Sequence, residues 1–196
     1  MEIIFDLGGV LVSETSQVRD AAEALGLAPH QVHGPYWKQR DAWDRGGSDH
    51  DYWQAVAGSI PVNERAVEHL SAHDVALWTQ LRPQARAILE ELSATDHRVW
   101  LLSNAAARFT EAVGHSDWRF FLDGVFISGA LGVMKPDPGI YQVVEQEVGT
   151  DPSAFHFIDD RPRNLEAAAA RGWQTHLFVD DADTRAWLVG IGALQD

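Results

Sequence analysis

The sequence predicts an α/β fold: a doubly wound, Rossmann-like parallel sheet with a small helical domain inserted after its first strand. Three observations carry the prediction. From residue 83 onward, short apolar runs alternate with segments of helical period, the pattern of a parallel sheet covered by helices on both faces. One further apolar run, residues 2–6, opens the chain far from that series. Between them, residues 13–82 have helical texture and no clear strand. The expected division is a core of residues 1–12 and 83–196 and a cap of residues 13–82.

Each element has a local reason. Residues 2–6 read as a buried central strand ending on Asp6, with Gly8 and Gly9 turning the chain after it. In the insert, Pro29, Gly34, Gly46–Gly47 and Pro61 read as punctuation between helices. Ser48 and Asp49 are both candidate caps for a helix starting near Asp51. Pro83 suits the first turn of a helix that carries Ala85, Ile88, Leu89 and Leu92 on one face. A strand over 98–103 and a helix over about 105–113 follow, then a strand over 124–128. Asp137 can cap a helix starting at Pro138, with Ile140, Val144 and Val148 on one side. A strand over 154–158 precedes a helix over 162–171 that stops at Gly172. A strand over 174–179 and a short helix near 184–190 close the series.

Composition narrows the function classes. The chain has 196 residues, 45% apolar and 22% charged, enough for one ordinary core with an insert. A net charge of −14 argues against a nucleic-acid partner and an anionic membrane surface. An anionic small substrate stays possible, because a bound metal and a lysine can override the global field locally. With no cysteine, disulfides, zinc–thiolate sites and thiol nucleophiles are excluded. That absence fits a cytoplasmic protein. No apolar run is long enough to span a bilayer, and residues 1–12 read as a buried strand rather than a signal peptide. The pattern specifies no oligomeric state.

Four motifs carry chemistry. In an open parallel sheet, ligands bind beyond the carboxyl ends of the strands where strand order reverses. Asp6, Ser103 with Asn104, and Asp159 with Asp160 all stand at predicted strand ends, and Lys135 precedes a helix. Asp6 is a candidate nucleophile. Ser103 and Asn104 can hold phosphoryl oxygens, or simply cap a helix. Lys135 can neutralise charge on the nucleophile and the transferred group. The adjacent carboxylates of Asp159 and Asp160 call for a cation or a nearby base, and magnesium suits few carboxylates combined with a phosphate. Asn164, four residues past Asp160, is a candidate for orienting a ligand or water and equally a helix-start residue.

Together, FDLGGVLV, LLSN, the lysine of GVMKPDP and FIDDRPRN resemble, in order, the four motifs of the haloacid dehalogenase-like (HAD) hydrolase superfamily. The insert resembles that superfamily's C1 cap. FDLGG and LLSN are similar to its α-D-glucose-1-phosphate phosphatase group and to the phosphatase domain of epoxide hydrolases. The resemblance implies a Mg²⁺-dependent phosphatase acting on a small phosphate monoester, with a sugar phosphate the expected substrate. It makes Asp6 the nucleophile that becomes a phosphoaspartate. Asp6, the Gly8 carbonyl and Asp160 would bind Mg²⁺, with Asp159 supporting the metal through water. Ser103 and Asn104 would bind the phosphoryl group, Lys135 would hold it together with Asp6, and Gly9 would let the backbone approach it.

One position departs from the family. Most of its phosphatases carry a second Asp two residues after the nucleophile as general acid and base; here that position is Gly8. The departure implies a preference for good leaving groups, such as anomeric or acyl phosphates, with His50 the candidate replacement acid. Trp37, Arg40, Trp43, Arg45, His50, Tyr52 and Trp53 are the cap residues expected to include substrate contacts, since rings stack on sugars and Arg binds anions. Gly8 also keeps two rivals open: a metal-independent 2-haloacid dehalogenase, and a non-catalytic binding or regulatory protein on this fold.

Overall fold

The computed structural model describes residues 1–195. All five strands lie in one parallel sheet of order β3-β2-β1-β4-β5. They are β1 (Glu2–Phe5), β2 (Arg98–Ser103), β3 (Gly124–Ile127), β4 (Phe155–Asp159) and β5 (Gln174–Leu177). Four helices fall between β1 and β2 in the insert: α1 (Gln17–Leu25), α2 (Pro29–Asp44), α3 (Asp49–Ala57) and α4 (Glu64–Leu77). Around the sheet lie α5 (Pro83–Ser93), α6 (Phe109–Gly114), α7 (Ser128–Leu131), α8 (Pro138–Val148), α9 (Pro162–Ala169) and α10 (Asp181–Gly190). Among the described residues, no helix is long and apolar enough to cross a membrane.

Both faces of the sheet are buried, as the near-continuous apolar strands require. Successive side chains of a strand point to opposite faces. Accordingly Ile3, Phe5, Val99 and Leu101 belong to one apolar cluster with Leu89 and Leu92 of α5 and Leu188 of α10. Ile4, Leu102, Phe126 and Phe157 belong to the other, with Ile140 and Val144 of α8 and Leu165 and Ala168 of α9. The first cluster continues without a break into the insert through Val32, Tyr36, Trp43 and Trp53. The chain's exit and return points sit side by side, where Arg82 N–H donates to the Leu11 carbonyl at 3.0 Å.

Most predicted elements stand within a few residues of their expected bounds, and the differences have local causes. Ser48, not Asp49, caps α3: its hydroxyl accepts from Asp51 N–H at 3.1 Å. The Asp49 carboxylate instead accepts from Trp43 Nε1 at 2.7 Å and pairs with Arg108 at 2.9 Å. Gly34 does not punctuate the insert. It lies inside α2 with Pro35, and the helix runs through both. α6 starts at Phe109 rather than 105, because Ala105 accepts from Gly129 N–H and donates to Ser128 Oγ instead of entering a helix. Asp137 caps α8 as expected, accepting from Gly139 N–H at 2.8 Å.

Leu89 is fully buried on α5 and Glu90 beside it is exposed. Leu89→Ala should therefore cost about 2–5 kcal/mol of unfolding free energy. Glu90→Ala should stay within about 0.5 kcal/mol. Denaturant unfolding of the two variants checks the assigned face of α5.

Candidate active site

Register brings the motif residues together. Phe5 pairs with Leu101 of β2 and with Ile158 of β4. Asp6, one residue on, therefore emerges beside the ends of both neighbours, and its N–H donates to the Ile158 carbonyl at 2.9 Å. Ser103 ends β2 and Asp159 ends β4, at the switch point where the chain leaves β1 for either side of the sheet.

Lys135 is the centre of the assembly. Its side chain is 1% exposed. Its ammonium lies 2.9 Å from Asp6 Oδ1 and 2.6 Å from Asp159 Oδ2, and donates to the Leu102 carbonyl at 2.9 Å. The backbone beneath it is clamped by Asn104. The Asn104 Nδ2 donates to the Lys135 carbonyl at 2.8 Å, and Lys135 N–H donates to Asn104 Oδ1 at 2.8 Å. The Asn104 carboxamide is thus engaged in placing Lys135, which leaves its backbone N–H for an expected phosphoryl group. The Ser103 side chain makes no hydrogen bond to the described residues and lines the cavity.

Asp159 is fully buried and richly bonded. It accepts from Lys135 Nζ, from Arg161 N–H at 2.8 Å, and from Asn164 Nδ2 on both oxygens at 3.0 Å. Its capacity is taken up by these donors, which suits a supporting rather than a direct metal ligand. Asn164 is therefore a carboxylate clamp at the start of α9. The side chain of Asp160 is 36% exposed. Asp6, Asp159 and Asp160 each offer an oxygen, all within 4.8 Å of one another. Gly9 allows this closeness: its φ is +82°, and a Cβ there would stand 2.6 Å from Asp160 Oδ2. At Gly8 a Cβ would meet only the Trp78 ring, at 3.6 Å.

The electrostatics of the cluster are unbalanced. Burial pushes the Asp6 carboxyl up to about 7; Lys135 pulls it down, and Asp159 and Asp160 push it further up. Burial also raises Asp160, with Asp159 adding to the effect. Burial works to lower the Lys135 ammonium, but Asp6 and Asp159 together hold it above its usual range. One buried ammonium among three carboxylates, with the half-exposed Arg161 guanidinium 4.0 Å from Asp160 as the other cation, still leaves net negative charge at the cluster. A divalent cation fits this donor set.

A cavity of about 420 Å³ opens above the cluster, lined by Asp6, Gly8, Gly9, Ser103, Asn104, Lys135 and Asp160 at its base. Among the cap residues named as candidates, Trp37 and Arg40 line it. Trp43, Tyr52 and Trp53 do not; they are buried in the cap, where Trp43 stacks on Tyr52 at 4.1 Å. Arg45 and His50 are exposed and away from the cavity lining, so His50 is not placed to act as an acid. The sequence reading missed Glu14, Asp41, Asp44, Trp78 and Phe109, which complete the wall with Leu7, Met134 and Arg161. The Arg40–Asp44 spacing of one helical turn was the available signal for Asp44.

Arg40 is held by a buried network. Its Nη1 donates to Asp74 at 2.9 Å and to the Tyr36 hydroxyl at 3.0 Å, and its Nε lies 3.3 Å from Asp44 Oδ1. Trp78 Nε1 donates to the same Tyr36 hydroxyl at 2.8 Å, and Tyr36 donates to Asp74. The network fixes the Trp78 ring over Gly8.

Comparison with known proteins agrees with this geometry. The family model for haloacid dehalogenase-like hydrolases matches residues 3–172. A sesquiterpene phosphatase of Aspergillus oryzae is 30% identical over 86% of this chain and 85% of its own length. An (S)-2-haloacid dehalogenase of Burkholderia cepacia is 26% identical over 88% of this chain and 80% of its own. The fold matches a HAD family enzyme of Bacteroides thetaiotaomicron, solved with magnesium and inorganic phosphate, at a TM-score of 0.70 and 18% identity, covering 90% of this chain and 92% of that one. With Asp6 directly after the first strand, a clamped lysine and paired aspartates at the end of β4, this chain belongs to the haloacid dehalogenase-like hydrolases.

Proposed function

We propose that this protein is a Mg²⁺-dependent phosphatase that hydrolyses a small phosphate monoester, a sugar phosphate, through a phosphoaspartate at Asp6. The observation that carries the reading is the charge deficit: three carboxylates share one spot with a single ammonium. Metal-independent dehalogenation has no need of Asp160 beside Asp6. Asp6 and Asp160, with the Gly8 carbonyl, would hold the ion, and Asp159 would support it. Bound there, Mg²⁺ supplies positive charge against the phosphoryl oxygens.

The chain's own residues do the rest. An oxygen of Asp6 attacks phosphorus and the leaving oxygen departs from the opposite side. Lys135 stays protonated and neutralises charge shared between Asp6 and the phosphoryl group. The Ser103 hydroxyl and the Asn104 backbone N–H orient the phosphoryl oxygens. Water then attacks the phosphoaspartate and frees phosphate.

The cavity wall supports a hydroxylated leaving group. The Trp37 and Trp78 rings meet edge to face with centroids 6.0 Å apart, beside the carboxylates of Glu14, Asp41 and Asp44. Rings stack on sugar faces and carboxylates accept from hydroxyls. A purely apolar chain would leave the hydrogen-bonding capacity of those carboxylates unused by substrate. This wall, with Gly8, also supports placement near the glucose-1-phosphate phosphatase group. We divide the chain into a core of residues 1–12 and 83–196 and a C1-type cap of residues 13–82, and place the protein in the cytoplasm on its lack of cysteine.

Phosphate release should require Mg²⁺, stop on chelation and vanish in Asp6→Asn, with sugar phosphates turned over faster than farnesyl phosphate. Chloride release from 2-chloropropionate without metal would instead establish dehalogenation, and the absence of either activity would favour a binding protein.

A second expectation concerns pH. Asp6 ionises at 3.8 when unfolded and at about 7 in the metal-free fold, so the folded state binds more protons between those values. Its contribution to stability therefore falls as pH rises across that window. Asp44, raised to about 7 by burial, acts in the same direction. Burial lowers His156 and His176, which act in the opposite direction, so the expected outcome is a difference: between pH 5.5 and pH 8 metal-free Asp6→Asn should lose less melting temperature than the metal-free parent protein. Melting curves of the two proteins that run parallel across the window would remove Asp6 as a source of the pH dependence.

A further inference from the structure

We propose that Asp44, carried by the cap, is the general acid and base of this hydrolysis, doing the work for which position 8 has no side chain. The inference rests on the phosphatase reading above.

Placement is the first support. Asp44 lines the same cavity as Asp6, Ser103 and Lys135. It is anchored to the strand that ends at Ser103: Ser128 Oγ donates to the Asp44 main-chain carbonyl and accepts from Ala105 N–H at 3.0 Å. Ala105 lies two residues from Ser103, so one hydroxyl ties the cap residue to the phosphoryl-binding end of β2. The close approach continues after it, where a Cβ on Gly46 would stand 3.1 Å from the Gly129 carbonyl.

The state of the side chain is the second support. Of the three cap carboxylates in the cavity wall, Asp44 alone is buried, at 4% exposure; Glu14 and Asp41 are exposed. Its Oδ1 lies beside Arg40 Nε yet is buried with no hydrogen-bond partner. The contact is an ion pair at 3.3 Å without hydrogen-bond alignment, so this oxygen is still able to take a proton or a ligand's donor. The groups that face it are Arg40 and Asp41 of its own helix, Asp74 of α4, and Arg161 of the loop before α9. Two cations and two anions largely offset one another, so burial decides and raises its pKa to about 7. An acid poised there serves both half-reactions at neutral pH.

The proton bookkeeping closes. As Asp6 bonds to phosphorus and the phosphorus–leaving-oxygen bond breaks, the protonated Asp44 transfers its proton to that oxygen and releases a neutral alcohol. The resulting Asp44 carboxylate takes a proton from water as that water attacks the phosphoaspartate. The Asp6–phosphorus bond breaks, phosphate leaves, and Asp44 is again protonated. Asp44 thereby removes the dependence on activated leaving groups that Gly8 alone implies.

The test is leaving-group dependence in Asp44→Asn, with Mg²⁺ present. Turnover of an unactivated alkyl phosphate such as glucose 6-phosphate should fall by about 10²–10⁴. Turnover of p-nitrophenyl phosphate, whose leaving group needs no proton, should be nearly unchanged. The alkaline limb of the wild-type kcat profile should vanish in the variant. Asp44→Glu keeps the acid and should restore part of the alkyl activity; it also serves if Asp44→Asn does not fold. Equal losses on both substrates, or an unshifted pH profile, would overturn the assignment while leaving the phosphatase reading intact. Activity that survives Asp6→Asn would instead sink the phosphatase reading itself.

Discussion

The burial of Lys135 is the constraint on which the site depends. A lysine at 1% exposure is tolerated only if its charge is matched and its donors are satisfied. Asp6, Asp159 and the Leu102 carbonyl supply that match from three adjacent strands. The requirement runs both ways. Asp6 and Asp159 are themselves nearly inaccessible, and without the ammonium they would repel one another in a poorly solvated space. Parallel pairing of β1 with β2 and β4 is thus coupled to the charge arrangement at the strand ends. The Asn104 and Asn164 clamps hold the lysine backbone and the Asp159 carboxylate in register. Neither needs to touch substrate to matter for catalysis.

A second buried cation organises the cap. The Arg40 guanidinium lies within 4.8 to 5.9 Å of the ring centres of Tyr36, Trp43, Tyr52, Trp78 and Phe109. Asp74 balances its charge at 2.9 Å, and Asp44 lies 3.3 Å from its Nε. Phe109 opens α6 and the other four rings lie between β1 and α5, so this cation–π cluster also ties those elements together. An arginine this enclosed is as much a scaffold as a ligand for substrate. Its value to the site lies in fixing the Trp78 ring and the Asp44 carboxylate at once.

Much of this was legible in the sequence, for identifiable reasons. Strand runs and cap residues such as Asp137 are local signals, and the parallel order follows from alternation with helices. Asp6, Ser103, Lys135 and the aspartate pair were legible because strand-end motifs in a parallel sheet converge whatever their separation in the chain. The cap side was not. Its helices pack by long-range aromatic contacts, and no local pattern says which face of α2 looks down at the core. Trp43 and Arg40 lie three residues apart, yet one stacks inside the cap and the other reaches the cavity wall. His50 drew notice because of its residue type, while the fold directs Asp44 to the position that matters.

The emptiness at position 8 and the content of the cap are one design problem. A side chain on Gly8 would grow toward Trp78, a ring locked by Tyr36 and packed against Arg40. A Cβ there would stand 3.6 Å from the ring, in ordinary contact, so the ring forms the wall that a side chain at position 8 would line. The proposed proton source, Asp44 of α2, stands in the same cavity wall as that ring. A consequence for specificity follows. When the proposed acid, the ring and the charged wall all come from the segment between β1 and α5, the residues that would recognise a substrate are also those that would protonate it. Recognition and proton transfer become a single event.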